Sequence, residues 1–293
     1  MSEAAVGTEG DVVRQDGEGI QHAHAGVEFR VHGQAHGVRE NLVAGHRGAR
    51  ARRLENTNAA FRYAVDNRVP AVECDVRLTS DGEPVCLHDP NPGRVGGPRC
   101  DIADMSLDDV RRIQLSNGGT IPTLNGVLDL ISGRAGVIVE IKNHVHEAGF
   151  SITRIPGRVV ANLLDKRADA GQGDAILAVS SFDWLTVLEF RAHSRHYAER
   201  ASVLSGPMAA SGESLTFATR HDLKQLHLHY AALLRRPQVV NEAARRGVDV
   251  TTWTVNSPRL ARHLVRVGCS TIISDDPVPI MRVLGTVEDD RGK

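Results

Sequence analysis

Eight short runs rich in β-branched residues recur along this chain, at 42–45, 71–78, 137–141, 176–181, 201–204, 223–228, 250–255 and 271–274, with helical patterns between them. Strands spaced this way pair in parallel, because a parallel neighbour needs a crossover of a dozen residues or more and a hairpin does not. Eight is also the count that closes a (β/α)8 TIM barrel of roughly 250 residues, about the length of 41–293. Helices are predicted over 57–67, 156–170, 237–246 and 258–267, three of them opening near a proline or a capping hydroxyl. A doubly wound open sheet shares the alternation but lacks its signature, since no GxGxxG follows the first strand. The predicted fold class is therefore α/β, a (β/α)8 barrel over 41–293.

Residues 1–40 are rich in Gly, Glu, Gln and His and have no sustained period, so they cannot bury enough apolar surface to offset ordering entropy. They read as a disordered extension. His22, His24, His32 and His36 fall in it without the regular spacing of a metal site. Over the whole chain, no apolar run approaches the roughly 20 residues that cross a bilayer, which argues against an integral membrane segment. The formal net charge of −1 lacks the broad positive field of a nucleic-acid binder. Cys74, Cys86, Cys100 and Cys269 show neither CxxC spacing nor disulfide density, and the start has no secretory pattern, so the expected location is the cytoplasm. The pattern fixes no oligomeric state.

One run breaks the alternation. Residues 84–88 also look like a strand, but only 79–83 separate them from the run before, too few for a crossover helix. Asp81-Gly82 is a two-residue hairpin signal, so this strand is expected to fold back antiparallel. With those two residues as the turn, Ser80 faces Glu83 and Asp75 faces His88, with Cβ atoms about 5 Å apart.

Period-2 alternation supplies the rest of a candidate site. Glu73 and Asp75 share one strand face, and Glu140 and Lys142 share another, each set against apolar residues on the opposite face. Charges spaced this way on apolar strands are costly to bury without partners or a metal. Together with His46, Arg47 and His88 they make two histidines, three carboxylates and two cations near strand ends. This inventory suits a metal ion that holds a phosphate ester between an acid and a base.

These residues lie in HRGA (46–49), ENT (55–57), ECDV (73–76), SDG (80–82), HD (88–89) and EIK (140–142), with WTVN (253–256) and ISDDP (273–277) further on. In that order and spacing they resemble the glycerophosphodiester phosphodiesterase family of phosphodiesterase barrels. The resemblance implies that His46 and His88 are the acid and base pair, that Glu73, Asp75 and Glu140 hold a divalent cation, and that Arg47 and Lys142 meet the phosphate. It also implies that Phe182 and Trp253 line the substrate pocket, and that the substrate is a small glycerophosphodiester, hydrolysed to glycerol 3-phosphate and an alcohol. For Glu55 and Asn56 two readings stand: helix capping around Asn56 and Thr57, or orientation of Arg47 or a histidine.

Three carboxylates without a thiolate make a hard oxygen site that favours Mg²⁺ or Ca²⁺. By nominal charge, three carboxylates, one divalent ion, Arg47 and Lys142 sum to plus one, which a phosphodiester neutralises. The attacking group is either water or the substrate's own hydroxyl. His144 and His146 read as a solvated loop, and His227 and His229, sharing one strand face, as packing or structural hydrogen bonds. The chain departs from the family pattern at Leu54, where proline is usual, and after HD, where Arg94 is kept without the threonines that commonly follow it. The segment 90–122 predicts a small cap. A lysophospholipase D or sphingomyelinase D type activity would need an apolar rim for acyl chains, which a 4% aromatic content does not announce. A silent glycerophosphoryl-binding barrel would have no need of an acid and base pair.

Overall fold

The computed structural model describes residues 42–286; the extension over 1–40 and its four histidines lie outside them. Strands β1 (Leu42–Gly45), β2 (Ala71–Leu78), β3 (Pro84–Cys86), β4 (Gly136–Ile141), β5 (Ile176–Ser181), β6 (Ala201–Ser205), β7 (Gln225–His229), β8 (Asp249–Trp253) and β9 (Thr271–Ser274) form one sheet. All but β3 are parallel, and pairing of β1 with both β9 and β2 closes them into an eight-stranded barrel. Helices connect the barrel strands, as the alternation predicts. Four strands have the expected bounds and the others shift by one or two residues at one or both ends.

Strand parity divides the apolar residues into two cores. Val43, Val72, Cys74, Val76, Val139 and Val179 face outward and pack with Phe61, Leu128, Leu164 and Phe190 of the surrounding helices. Burying each such side chain contributes about 1.5–3 kcal/mol, so Phe61→Ala is costly, at about 3–5 kcal/mol. Inside, the floor is small and apolar, with Ala44, Ala71, Ile138, Ala178 and Ile273. Local caps fix where helices start: Thr57 accepts from Ala60 N–H, and Ser257, followed by Pro258, accepts from Leu260 N–H.

The hairpin forms, with a register one residue from the expected one. Val76 pairs with Cys86, Arg77 with Val85 and Leu78 with Pro84, which places Asp75 opposite Leu87, not His88. The turn holds three residues. Thr79 N–H donates to Glu83 O, the Thr79 hydroxyl accepts from Glu83 N–H, and Gly82 takes φ +83°, as three-residue hairpins with a left-handed glycine do. The Asp81 carboxylate is occupied elsewhere, accepting from Leu107 N–H at the head of the Leu107–Arg111 helix. That helix and two short 3-10 turns form the small cap, with its own core of Val85, Leu87, Val95, Ile102, Val110 and Ile121.

Edge sharing along β2 places the site. The strand β1 ends opposite Val72, and β3 joins the same edge only from Val76 onward. Between them Glu73 and Asp75 present backbone groups to loops instead: Gly48 N–H donates to Glu73 O, and Leu87 N–H donates to Asp75 O.

Candidate active site

Register brings the carboxylates together. Asp75 on β2 pairs directly with Glu140 on β4, and Glu73 lies two residues back on the same face. Oxygens of the three carboxylates lie within 4.8 Å of one another, all buried. Lys142, whose N–H continues the ladder to Val76 O, returns its ammonium to the cluster: Nζ is 2.9 Å from Asp75 Oδ1 and also contacts Glu140. Burial opposes ionisation of Asp75, but Lys142 and Arg47 hold its carboxyl well below the usual range. Glu73 goes the other way. Burial, then the charges of Asp75 and Glu140, push it well up, and its Oε1 is buried without a protein partner. Burial likewise raises Glu140, although Lys142 counters it. An all-oxygen cluster with one bare carboxylate oxygen and two carboxyls unwilling to ionise is short of positive charge, and a divalent cation fits it.

The turn after β1 folds back onto this cluster. Gly48 at φ +88° packs its backbone against Ala60, where a Cβ would come within 2.7 Å of Ala60 C. Arg47 takes φ +52°, a conformation costly for a side chain larger than glycine's. It is fixed from several sides: its N–H donates to Glu73 Oε2 at 2.9 Å, Nη1 donates to Glu55 Oε1 at 2.7 Å, and Nε lies 3.0 Å from Asp75 Oδ2. Asn56, also at φ +52°, donates from Nδ2 to Asp75 Oδ2 at 2.7 Å. Capping belongs to Thr57, while Glu55 and Asn56 hold Arg47 and Asp75.

Each predicted histidine has a carboxylate behind it. His46 Nδ1 is 2.6 Å from Asp275 Oδ1, and its Nε2 is 3.9 Å from Glu73 Oε2. His88 Nδ1 is 2.7 Å from Asp89 Oδ1. Burial lowers both imidazole pKa values, with the Asp275 hydrogen bond opposing it at His46 and the Lys142 charge reinforcing it at His88. His88 arrives here just past the end of β3, where its carbonyl accepts two hydrogen bonds from the Arg77 guanidinium.

Four supporting residues were missing from the predicted site. Asp275 is one; Asn256 secures it, donating to Oδ2 at 2.8 Å and accepting from Asp275 N–H at 2.9 Å. Asp89 is another. Arg94 of the cap joins both halves, donating to Asp89 Oδ2 at 2.6 Å and to both oxygens of Glu55. WTVN, ISDDP and HD mark the places of Asn256, Asp275 and Asp89, and the run after HD that of Arg94, without revealing these contacts.

Phe182 and Trp253 meet edge-on at 5.7 Å, and Lys142 Nζ is 5.9 Å from the Phe182 ring centre. Both aromatics thus border the cluster. His229 accepts from Ala231 N–H and packs against Trp253, as a structural histidine does. His227 is buried with no protein partner at Nε2, and burial pushes its pKa down to about 3. His144 and His146 lie exposed in the loop after β4.

A family model, that of the glycerophosphoryl diester phosphodiesterase family, matches residues 46–278. The chain belongs to this family. It is 26% identical over 253 residues to a glycerophosphodiester phosphodiesterase of Caldanaerobacter subterraneus subsp. tengcongensis, covering 84% of this chain and 98% of that one. A Bacillus altitudinis glycerophosphodiester phosphodiesterase is 25% identical over 244 residues, covering 80% and 94%. Among solved structures, the Thermotoga maritima glycerophosphodiester phosphodiesterase superposes with a TM-score of 0.66 at 25% identity, covering 83% and 98%. An Oleispira antarctica phosphodiesterase, solved in complex with the product sn-glycerol-3-phosphate, gives a TM-score of 0.71 at 23% identity, covering 83% and 96%. The last likeness concerns the fold.

Proposed function

We propose that this member of the glycerophosphoryl diester phosphodiesterase family hydrolyses glycerophosphodiesters to glycerol 3-phosphate and an alcohol, with 41–293 as its catalytic domain. The observation that carries this reading is three converging carboxylates flanked by two histidines, each backed by an aspartate. Glu73, Asp75 and Glu140 would hold a divalent cation, Mg²⁺ or Ca²⁺, which supplies Lewis-acid stabilisation of charge on the phosphoryl oxygens.

The chain's own groups do the rest. Arg47 and Lys142 offset the anionic diester. Asp275 and Asp89 turn the Nε2 atoms of His46 and His88 toward the reacting centre, so one removes a proton from the attacking hydroxyl and the other donates one to the departing alkoxide. Phe182 and Trp253 wall the pocket. No helix among the described residues is long and apolar enough to cross a membrane, and Cys74, Cys86, Cys100 and Cys269 are all unpaired thiols, consistent with a cytoplasmic enzyme. A panel of glycerophosphodiesters assayed with and without chelator tests the proposal: release of glycerol 3-phosphate that chelation does not touch would exclude it.

One observation favours a second reading. The large exposed apolar residues among those described, including Ile152 at 72%, Phe182 at 38%, Met208 at 87% and Leu234, all follow β4, β5, β6 or β7 at the catalytic end of the barrel. The charged groups Arg47, Arg50, Arg94 and Asp275 instead follow β1, β3 and β9, where they are joined by ion pairs through Glu55 and Asp275. The apolar rim that the aromatic content does not announce is mostly aliphatic, with Phe182 as its aromatic member. It suits the acyl chain of a lysophospholipid, and comparing glycerophosphocholine with its monoacyl form decides between the readings.

A further inference from the structure

Inside the barrel a cavity of about 20 Å³ is lined by His46, Glu73, Glu140, Ser180, His227 and Trp253, among others. That is room for one water, which needs two to four polar partners. Three residues of this lining carry a buried atom with no protein partner: Glu73 Oε1, His227 Nε2 and the donor Trp253 Nε1. Glu73 and His227 belong to strands on different sides of the barrel, β2 and β7, and buried polar atoms left without a hydrogen bond are costly. Burial disfavours the charged form of His227, and either ring tautomer can share a hydrogen bond with a water.

We propose that His227 is a positioning residue for Glu73, acting through a single buried water held between Nε2 and Oε1. The inference rests on the reading of Glu73 as a cation ligand. Ligating carboxylates are commonly oriented by such outer partners, whose loss weakens metal affinity about 10- to 100-fold. Here the relay fixes the rotation of a carboxylate held at Oε2 by Arg47 N–H, using one lone pair of Oε1 and leaving the other to the cation.

The test is calorimetric titration of the purified protein with Mg²⁺ and with Ca²⁺, beside thermal melts, for wild type, His227→Leu, His227→Gln and Glu140→Gln. The expected result is about a 10-fold or greater weakening in His227→Leu with an unchanged or higher Tm, and affinity within about threefold of wild type in His227→Gln, which keeps a polar group in the cavity. Equal affinity in His227→Leu and wild type, with Glu140→Gln impaired, overturns the relay and leaves the cation site standing. A wild-type protein that binds neither cation overturns both. Should His227→Leu fail to fold, a high-resolution crystal structure of the wild type decides: a water bonded to both atoms supports the relay, and a dry cavity removes it.

Discussion

Lys142 Nζ lies 2.9 Å from Asp75 Oδ1, a buried cation set against the most deeply held anion of the site. Asp75 also faces Arg47 and Asn56, so Asp75→Ala removes the carboxylate that two buried cations share, leaving Lys142 to Glu140 and Arg47 to Glu55, and is expected to cost about 3 kcal/mol. Glu73→Gln should behave oppositely, leaving the cation-free protein as stable or more stable, because it removes a repelled carboxylate. Denaturant unfolding in chelator measures both. Equal losses in the two variants would contradict the electrostatics described here.

The aspartate behind His46 makes a second prediction. Asp275→Asn keeps the shape but not the charge or the preference for an Nδ1 proton. It should lower kcat by at least about 10-fold, with little change in Tm because the site of substitution is only half-buried. Unchanged kcat would separate Asp275 from catalysis.

His46→Ala and His88→Ala should each remove most turnover, and the double variant should lose little more, because two protons move in one transfer. Melting curves separate this from misfolding. Variants that fold like wild type and keep near-normal turnover on every glycerophosphodiester tested would rule out the acid and base pair.

Arg94 is a fork that contacts three carboxylate oxygens of two residues, a geometry lysine does not reproduce. Arg94→Lys should therefore resemble Arg94→Ala, each reducing kcat by roughly 10-fold, while stability moves by about 1 kcal/mol or less for so exposed a group. Full rescue by lysine would show that charge alone suffices.

Acid stability offers a test at His227. Burial holds its pKa at about 3 against an ordinary 6.5. Between these values the unfolded chain binds a proton that the folded chain refuses, so this residue subtracts stability as pH falls from 6.5 toward 3, by up to about 1.4 kcal/mol per unit. His227→Leu should lack that loss, and its Tm advantage over wild type should widen on acidification from pH 7 to about 4. Parallel Tm curves would argue against a neutral, buried His227.

Much of this was legible in the chain because it follows from strand parity. Glu73, Asp75 and Glu140 share the inner face by alternation, and parallel pairing of β2 with β4 then brings Asp75 beside Glu140. The hairpin was legible in direction but not in register, since Asp81-Gly82 marks the turn while Ser80, expected to pair with Glu83, is its third member. Asp275, Asn256 and Arg94 were not legible as partners. Their contacts depend on how loops distant in sequence meet over the barrel mouth, and no local period records that. The exposed apolar residues after β4, β5, β6 and β7 escaped notice because they sit in loops and helix turns whose meeting at one end of the barrel no local period records.

The strand β9 seals the barrel against β1, and the residue just past its end carries the carboxylate that orients the first histidine. A barrel left open at that seam would keep Glu73, Asp75, Glu140 and both imidazoles but lose the carboxylate that aligns His46. Closing the barrel and aligning this histidine are therefore one structural event, and the last stave is also a part of the site.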